Sequence, residues 1–91
     1  MALYFMYGKY SKESLGEISA DRTKQASELI AKAGGKLLSA YALLGKYDVV
    51  AIVDLPGTKE VMKTSIALNK LTGIAFKSFP AITIEEFDKL K

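Results

Sequence analysis

The spacing of apolar residues changes period several times along this chain. Residues 2–10 (ALYFMYGKY) are rich in aromatics, carry no helix punctuation and read as a strand. A period of two places Tyr4, Met6, Gly8 and Tyr10 on one face and Leu3, Phe5, Tyr7 and Lys9 on the other. The spacing then turns helical, with Leu15, Ile18, Arg22, Ala26, Leu29, Ile30 and Ala33 recurring at three- and four-residue intervals. Ser11 and Ser14 are both possible helix caps, Ser14 followed by Glu17 fits a capping box, and Gly16 suggests a short turn before a main helix from about Ser19. Gly34-Gly35 supplies the left-handed backbone that ends a helix.

Two β-type runs follow, residues 36–44 (KLLSAYALL) and 47–55 (YDVVAIVDL), the second enriched in Val and Ile. Gly45-Lys46 between them predicts a two-residue hairpin turn with glycine first. Pro56-Gly57 reads as a turn and Thr58 as an N-cap. A second helix over residues 59–71 takes Val61, Met62, Ile66, Leu68 and Leu71 as its apolar positions, which leaves Thr64, Ser65, Asn69 and Thr72 to caps and solvent. Thr72-Gly73 ends that helix. Residues 74–84 form the last strand, where Pro80 points to an edge position or a bulge. The tail EEFDKLK has room for one more helical turn. The order β-α-β-β-α-β is that of a ferredoxin-like α+β fold, with one antiparallel four-stranded sheet and two helices on a single face. Residues 1–91 are expected to form one domain.

Helices on one side leave the other side of such a sheet open, and an open face in a monomer should alternate with polar residues. These strands do not alternate. Tyr4 to Tyr7, Leu37-Leu38, Tyr41 to Leu44 and Val49 to Val53 are apolar on both faces. An exposed patch of that kind calls for a partner, and a second copy related by two-fold symmetry supplies one. A homodimer or larger homo-oligomer is therefore expected.

Composition narrows the chemistry. The 91 residues are 49% hydrophobic and 25% charged, the balance of a globular chain with a small core. The net charge of +3 is spread out with no basic run, so no nucleic-acid partner is expected. With no cysteine and no histidine, disulfides, thiolate and imidazole catalysis, His-ligated haem and nearly all zinc sites are excluded. No acidic cluster has calcium-loop spacing, so no metal or other cofactor is expected. No apolar run is long enough to span a bilayer and no basic leader is visible, which predicts a cytoplasmic protein without a membrane partner.

The residues that could carry chemistry are few. Asp48 is a poor strand former set before a run of Val and Ile. Its carboxylate either pins the hairpin by accepting backbone N–H bonds or, with Tyr47, lines a ligand pocket at a subunit interface. Arg22 is the single arginine among 13 basic residues and falls on the apolar stripe of the first helix. Its planar fork either holds an anionic ligand or pairs with an acid such as Asp21 or Asp48. Tyr4, Tyr7, Tyr10, Tyr41 and Tyr47 are candidate hydroxyl donors within an apolar surface, with packing as the alternative role. Gly45 is the structural turn residue.

An aromatic first strand, a helix ending in Gly-Gly, the LLGKYDVVAIVDLP hairpin and the TGIAFKSFPAITIEEF ending together resemble the GYD domain family. The family takes its name from a Gly-x-Tyr-Asp stretch, here Gly45, Tyr47 and Asp48. The resemblance covers residues 2–87 and implies a ferredoxin-like fold that pairs into a dimeric α+β barrel. The same hairpin is similar to one in the effector-binding domain of Lrp/AsnC-type regulators, where small molecules such as amino acids bind between subunits near that segment. The helix-turn-helix half of those regulators has no counterpart here. Dimeric-barrel enzymes are a third relative by fold, although their usual His or Trp groups are missing. Three functions follow as expectations. The first is a stand-alone, non-catalytic, small-molecule-binding oligomer using Tyr47, Asp48, Arg22, Tyr41 and Tyr7. The second is a structural or protein-interaction module with a filled interior. The third is a cofactor-free enzyme with Asp48 as general base, which requires a buried Asp48 in hydrogen-bond reach of a tyrosine hydroxyl beside an enclosed cavity.

Overall fold

The alternation of two-residue and helical periods is realised in space as a sheet with helices laid against one side. The computed structural model describes residues 2–17 and 19–91. Its elements are β1 (Ala2–Lys9), α1 (Lys12–Gly16), α2 (Ala20–Lys32), β2 (Lys36–Ala42), β3 (Val49–Leu55), α3 (Thr58–Thr72), β4 (Ala75–Ala81) and α4 (Ile84–Asp88). The strands form one four-stranded sheet in the order β2-β3-β1-β4. Every pairing is antiparallel, with Phe5 opposite Ile52 on one side and Phe79 on the other. This is the ferredoxin-like α+β fold. Pro80 lies on β4, an edge strand, where its missing N–H costs no ladder bond.

Pleating sorts β1 as its period of two requires. Tyr4, Met6 and Gly8 are buried toward the helices, while Leu3, Phe5 and Tyr7 are half-buried on the opposite side. The core joins Tyr4, Met6, Val53 and Leu55 of the sheet to Ile30 of α2 and to Val61 and Leu68 of α3. Full burial of each such side chain stabilises the fold by about 1.5–3 kcal/mol. The chain leaves α2 through Gly34, at φ +88°, a left-handed conformation that glycine adopts without strain. Gly35 then passes so close to β3 that a Cβ would collide with the Asp54 carbonyl oxygen and the Leu55 side chain.

Several local expectations are corrected. The capping box is Ser11 with Ser14, not Ser14 with Glu17, because an extra short helix, α1, begins at Lys12. Ser11 Oγ accepts the Ser14 N–H at 3.0 Å and Ser14 Oγ accepts the Ser11 N–H at 2.8 Å. Ser14 is buried by that exchange, and Leu15 turns out to solvent. Ile18, assigned to the apolar stripe, lies outside the described residues. The main helix begins where the sequence indicates, and Ser19 caps α2 by accepting the Arg22 N–H at 3.0 Å.

The connection between β2 and β3 is a loop over residues 43–48 rather than a two-residue turn. The Leu43 N–H donates to the Asp48 carbonyl at 2.8 Å and the Asp48 N–H to the Gly8 carbonyl at 2.9 Å, so Asp48 anchors the loop to β1 before β3 begins. Gly45 sits in the loop at φ +153°, a region that side-chain-bearing residues rarely occupy. A register shift between Leu37 and Ser39 adds a bulge in β2.

On α3 the N-cap is Gly57, and Thr58 is the first helical residue. The helix buries Val61, Thr64, Leu68 and Thr72, while Met62 and Ile66 face solvent. The buried positions keep a three- to four-residue rhythm, so the helix is rotated from the face its apolar content suggests, and two threonines replace two expected apolar residues. Residues beyond Ala81 leave the last strand, and Thr83 caps the terminal α4 by accepting the Glu86 N–H at 3.1 Å.

Candidate functional site

The residues singled out in the sequence fall into two clusters. The first is built around Tyr10, where the chain leaves β1. The Tyr10 N–H donates to Asp48 Oδ2 at 2.9 Å. The Arg22 guanidinium carbon lies 5.8 Å from the centre of the Tyr10 ring. Arg22 Nη1 donates to the Ser14 carbonyl at 2.8 Å, satisfying an oxygen near the end of α1. Asp48 and Arg22 therefore both contact Tyr10, one at its backbone N–H and the other over its ring, and make no bond to each other. Arg22 also pairs with neither Asp21 nor Asp48. Asp21 instead accepts from Gln25 Nε2 at 3.1 Å.

The Asp48 carboxylate is half-buried, and its bond to Tyr10 reaches across 38 residues of sequence. The Asp48 carboxylate thus ties the loop over residues 43–48 to the exit of β1. Among the described residues, no tyrosine hydroxyl is hydrogen-bonded to it. Beside it runs a groove of about 370 Å³ lined by Tyr10, Lys12, Leu15, Leu43 and Asp48 among others. The groove carries one cation, one carboxylate and Ser11 on a wall completed by Tyr10, Leu15, Ala42 and Leu43.

The second cluster lies on the open face of the sheet. The Tyr7 and Tyr47 rings are tilted, with centres 5.2 Å apart, and Phe79 meets Tyr7 edge-on at 5.8 Å. Lys46 Nζ sits 5.9 Å from the centre of the Tyr47 ring. Tyr41, opposite Val50 in register, is 58% exposed. Tyr7, Tyr47 and Tyr41 thus belong to an aromatic surface, and Asp48 and Arg22 to the shoulder behind it.

Sequence reading missed Asp54 and took Tyr10 only as a hydroxyl donor. Tyr10 joins the two charged candidates, but its role depends on a backbone N–H, which no side-chain pattern reveals. Asp54 has Oδ1 buried without a partner among the described residues, and it stands opposite Leu3 and Lys36. It borders a groove of about 280 Å³ with Leu38, Thr83 and Glu86. An aspartate within a Val/Ile run was the available signal.

Among the described residues, no helix is long and apolar enough to cross a membrane. No curated protein matches the sequence. Among solved structures, a transcriptional regulator superposes with a TM-score of 0.70 at 12% identity, over 91% of this chain and 51% of that one. The leucine response regulatory protein of Mycobacterium tuberculosis gives 0.60 at 10% identity, over 90% and 51%. The chain thus spans about half the length of both, and the likeness is one of fold. The GYD domain model matches residues 4–90, nearly the full length and including the Gly45, Tyr47 and Asp48 stretch, and the chain belongs to the GYD domain family.

Proposed function

We propose that this chain is a non-catalytic, self-associating domain that binds a small molecule beside the loop over residues 43–48. The observation that carries this reading is the uncovered face of the sheet. Leu3, Phe5, Tyr7, Ile52, Phe79 and Tyr41 lie on it, and α2 and α3 pack on the other side. Four strands of seven or eight residues present a face of about 24 by 19 Å in projection. That projection of about 460 Å², before side-chain relief, is more than half of the roughly 800 Å² per partner of a stable interface. A second copy offers the same shape and composition, and two-fold pairing covers both faces at once. The result is a dimeric α+β barrel.

The loop supports the ligand part of the reading. Leu44 is fully exposed at its tip and Leu43 is 38% exposed, an unusual display of apolar surface beside a groove with Lys12 and Asp48. The general-base role loses support, because the Asp48 carboxylate is taken by a backbone N–H and the groove is open. The two similar solved structures are described as regulators, which agrees with a binding domain.

Native mass spectrometry of the protein purified from its own cells tests both parts together. A dimer or larger assembly retaining a defined extra mass is expected. A monomer across micromolar concentrations contradicts the self-association, and an oligomer that never retains or takes up a ligand contradicts the binding role.

A further inference from the structure

On the helix side of the sheet, small residues face one another where larger ones would fill the core. Ala26 of α2, Ala40 of β2 and Ala51 of β3 surround a cavity of about 120 Å³. Its floor is Ile30, Leu68 and Ile74, which are 1%, 2% and 4% exposed. Its mouth is marked by the half-buried Tyr10 and Arg22 and the exposed Thr23 and Ala40.

Both threonine hydroxyls around this cavity are spent and, among the described residues, the Tyr10 hydroxyl at its mouth is not. The Thr23 hydroxyl donates to the Ser19 carbonyl at 3.2 Å. The Thr72 hydroxyl donates to the Leu68 carbonyl at 2.7 Å and accepts the Ile74 N–H at 3.1 Å. Arg22 differs. A guanidinium has five N–H donors, and among the described residues one of its nitrogens, Nη1, is engaged, on the Ser14 carbonyl. No carboxylate lines the cavity. Arg22 also lies in the first turn of α2, where the helix dipole adds positive potential.

We propose that this cavity is a binding site for a short aliphatic carboxylate. The hydrocarbon lies against Ile30, Leu68 and Ile74, and the carboxylate is held at the mouth by the free edge of Arg22. An apolar cavity of about 150 Å³ takes a benzene ring, so this one fits a body of about four to six carbons. A planar guanidinium grips a carboxylate with two parallel hydrogen bonds, which explains an arginine at this position in a chain whose other cations are lysines. The site lies on the opposite side of the sheet from the self-associating face, so it does not depend on the proposed pairing.

The test uses isovalerate as the probe, titrated into ¹⁵N-labelled protein, with 3-methylbutan-1-ol as the uncharged counterpart of equal hydrocarbon. Saturable shifts at the amides of Ala26, Ala40 and Ala51 are expected, with the alcohol binding at least about tenfold more weakly. Arg22→Gln should weaken isovalerate by a similar factor and leave the alcohol unchanged. Ala26→Leu, which fills the cavity, should abolish both. If Arg22→Gln does not fold, the comparison of acid and alcohol on the unaltered protein decides. The proposal is overturned by absence of saturable shifts, by equal binding of the alcohol, or by shifts confined to the loop over residues 43–48 or to Phe5 and Ile52. Sedimentation of the same samples separates this outcome from a failure of self-association.

Discussion

Replacing Asp48 by alanine removes a single bond whose contribution is readable from the geometry. Asp48 holds the loop over residues 43–48 through three contacts, and two of them are main-chain bonds that survive any substitution. The third, from the Tyr10 N–H to Oδ2 at 2.9 Å, is charge-assisted and half-buried. Hydrogen bonds to charged groups contribute about 1.5–3 kcal/mol, and partial exposure places this one near the lower end. Asp48→Ala should therefore cost about 1.5 kcal/mol, a fall in Tm of about 6–12 °C for a domain of this size. Asp48→Asn keeps an acceptor oxygen and should cost about half as much. The assay is thermal unfolding followed by circular dichroism at one fixed protein concentration, since the proposed self-association would make Tm concentration-dependent. An alanine variant within about 2 °C of the unaltered protein refutes the anchoring role, the smallest shift that these bond energies allow being larger. Equal losses for Asn and Ala would show that charge rather than the acceptor matters.

Gly35→Ala should destabilise by more than about 3 kcal/mol, because the Cβ meets backbone at Asp54 that cannot yield, whereas Gly16→Ala meets nothing within 4 Å and should be neutral or slightly stabilising; denaturant midpoints distinguish the two. Thr64→Val should raise stability by about 1 kcal/mol, since Thr64 is 1% exposed and its Oγ1 has no partner among the described residues; a loss in urea unfolding would mean that the hydroxyl is bonded in solution. Arg22→Met keeps most of the stem over Tyr10 but removes one of the two donors to the Ser14 carbonyl, the other being the Glu17 N–H at 3.2 Å, so α1 should lose amide-exchange protection ahead of α2; unchanged protection would remove Arg22 as its brace.

The fold was legible because its information is periodic. The two faces of β1, the start of α2 near Ser19, the glycine exit from α2 and the edge position of Pro80 all follow from spacing or from backbone chemistry local to a few residues. The errors share a physical cause. On α3 the apolar residues outnumber what one face can bury, so composition could not say which side turns inward, and Met62 and Ile66 lost to Thr64 and Thr72. The hairpin turn was misread because Asp48 is held by Gly8 and Tyr10, partners from a distant part of the chain.

The site shows the same division. Tyr7, Tyr41, Tyr47, Arg22 and Asp48 stood out by residue type, and the structure separates them into a face and a shoulder. What spacing could not supply was Tyr10, the residue that Asp48 and Arg22 both touch, or the alanines that leave space beneath α2. Cavities are set by what is absent, and one sequence shows an alanine without showing what lies opposite.

Self-association through the open face is tested most directly by sedimentation velocity on the unaltered protein and on Phe79→Lys. Phe79 is 49% exposed on an edge strand of that face, so the lysine costs the monomer little, whereas the proposed pairing would bury it against a second copy. The unaltered protein should sediment with at least twice the 9.9 kDa mass of one chain, and the variant should fall to the monomer with its circular dichroism spectrum intact. A monomeric unaltered protein, or a variant whose assembly is unchanged, would contradict the claim that this face is covered by a second copy.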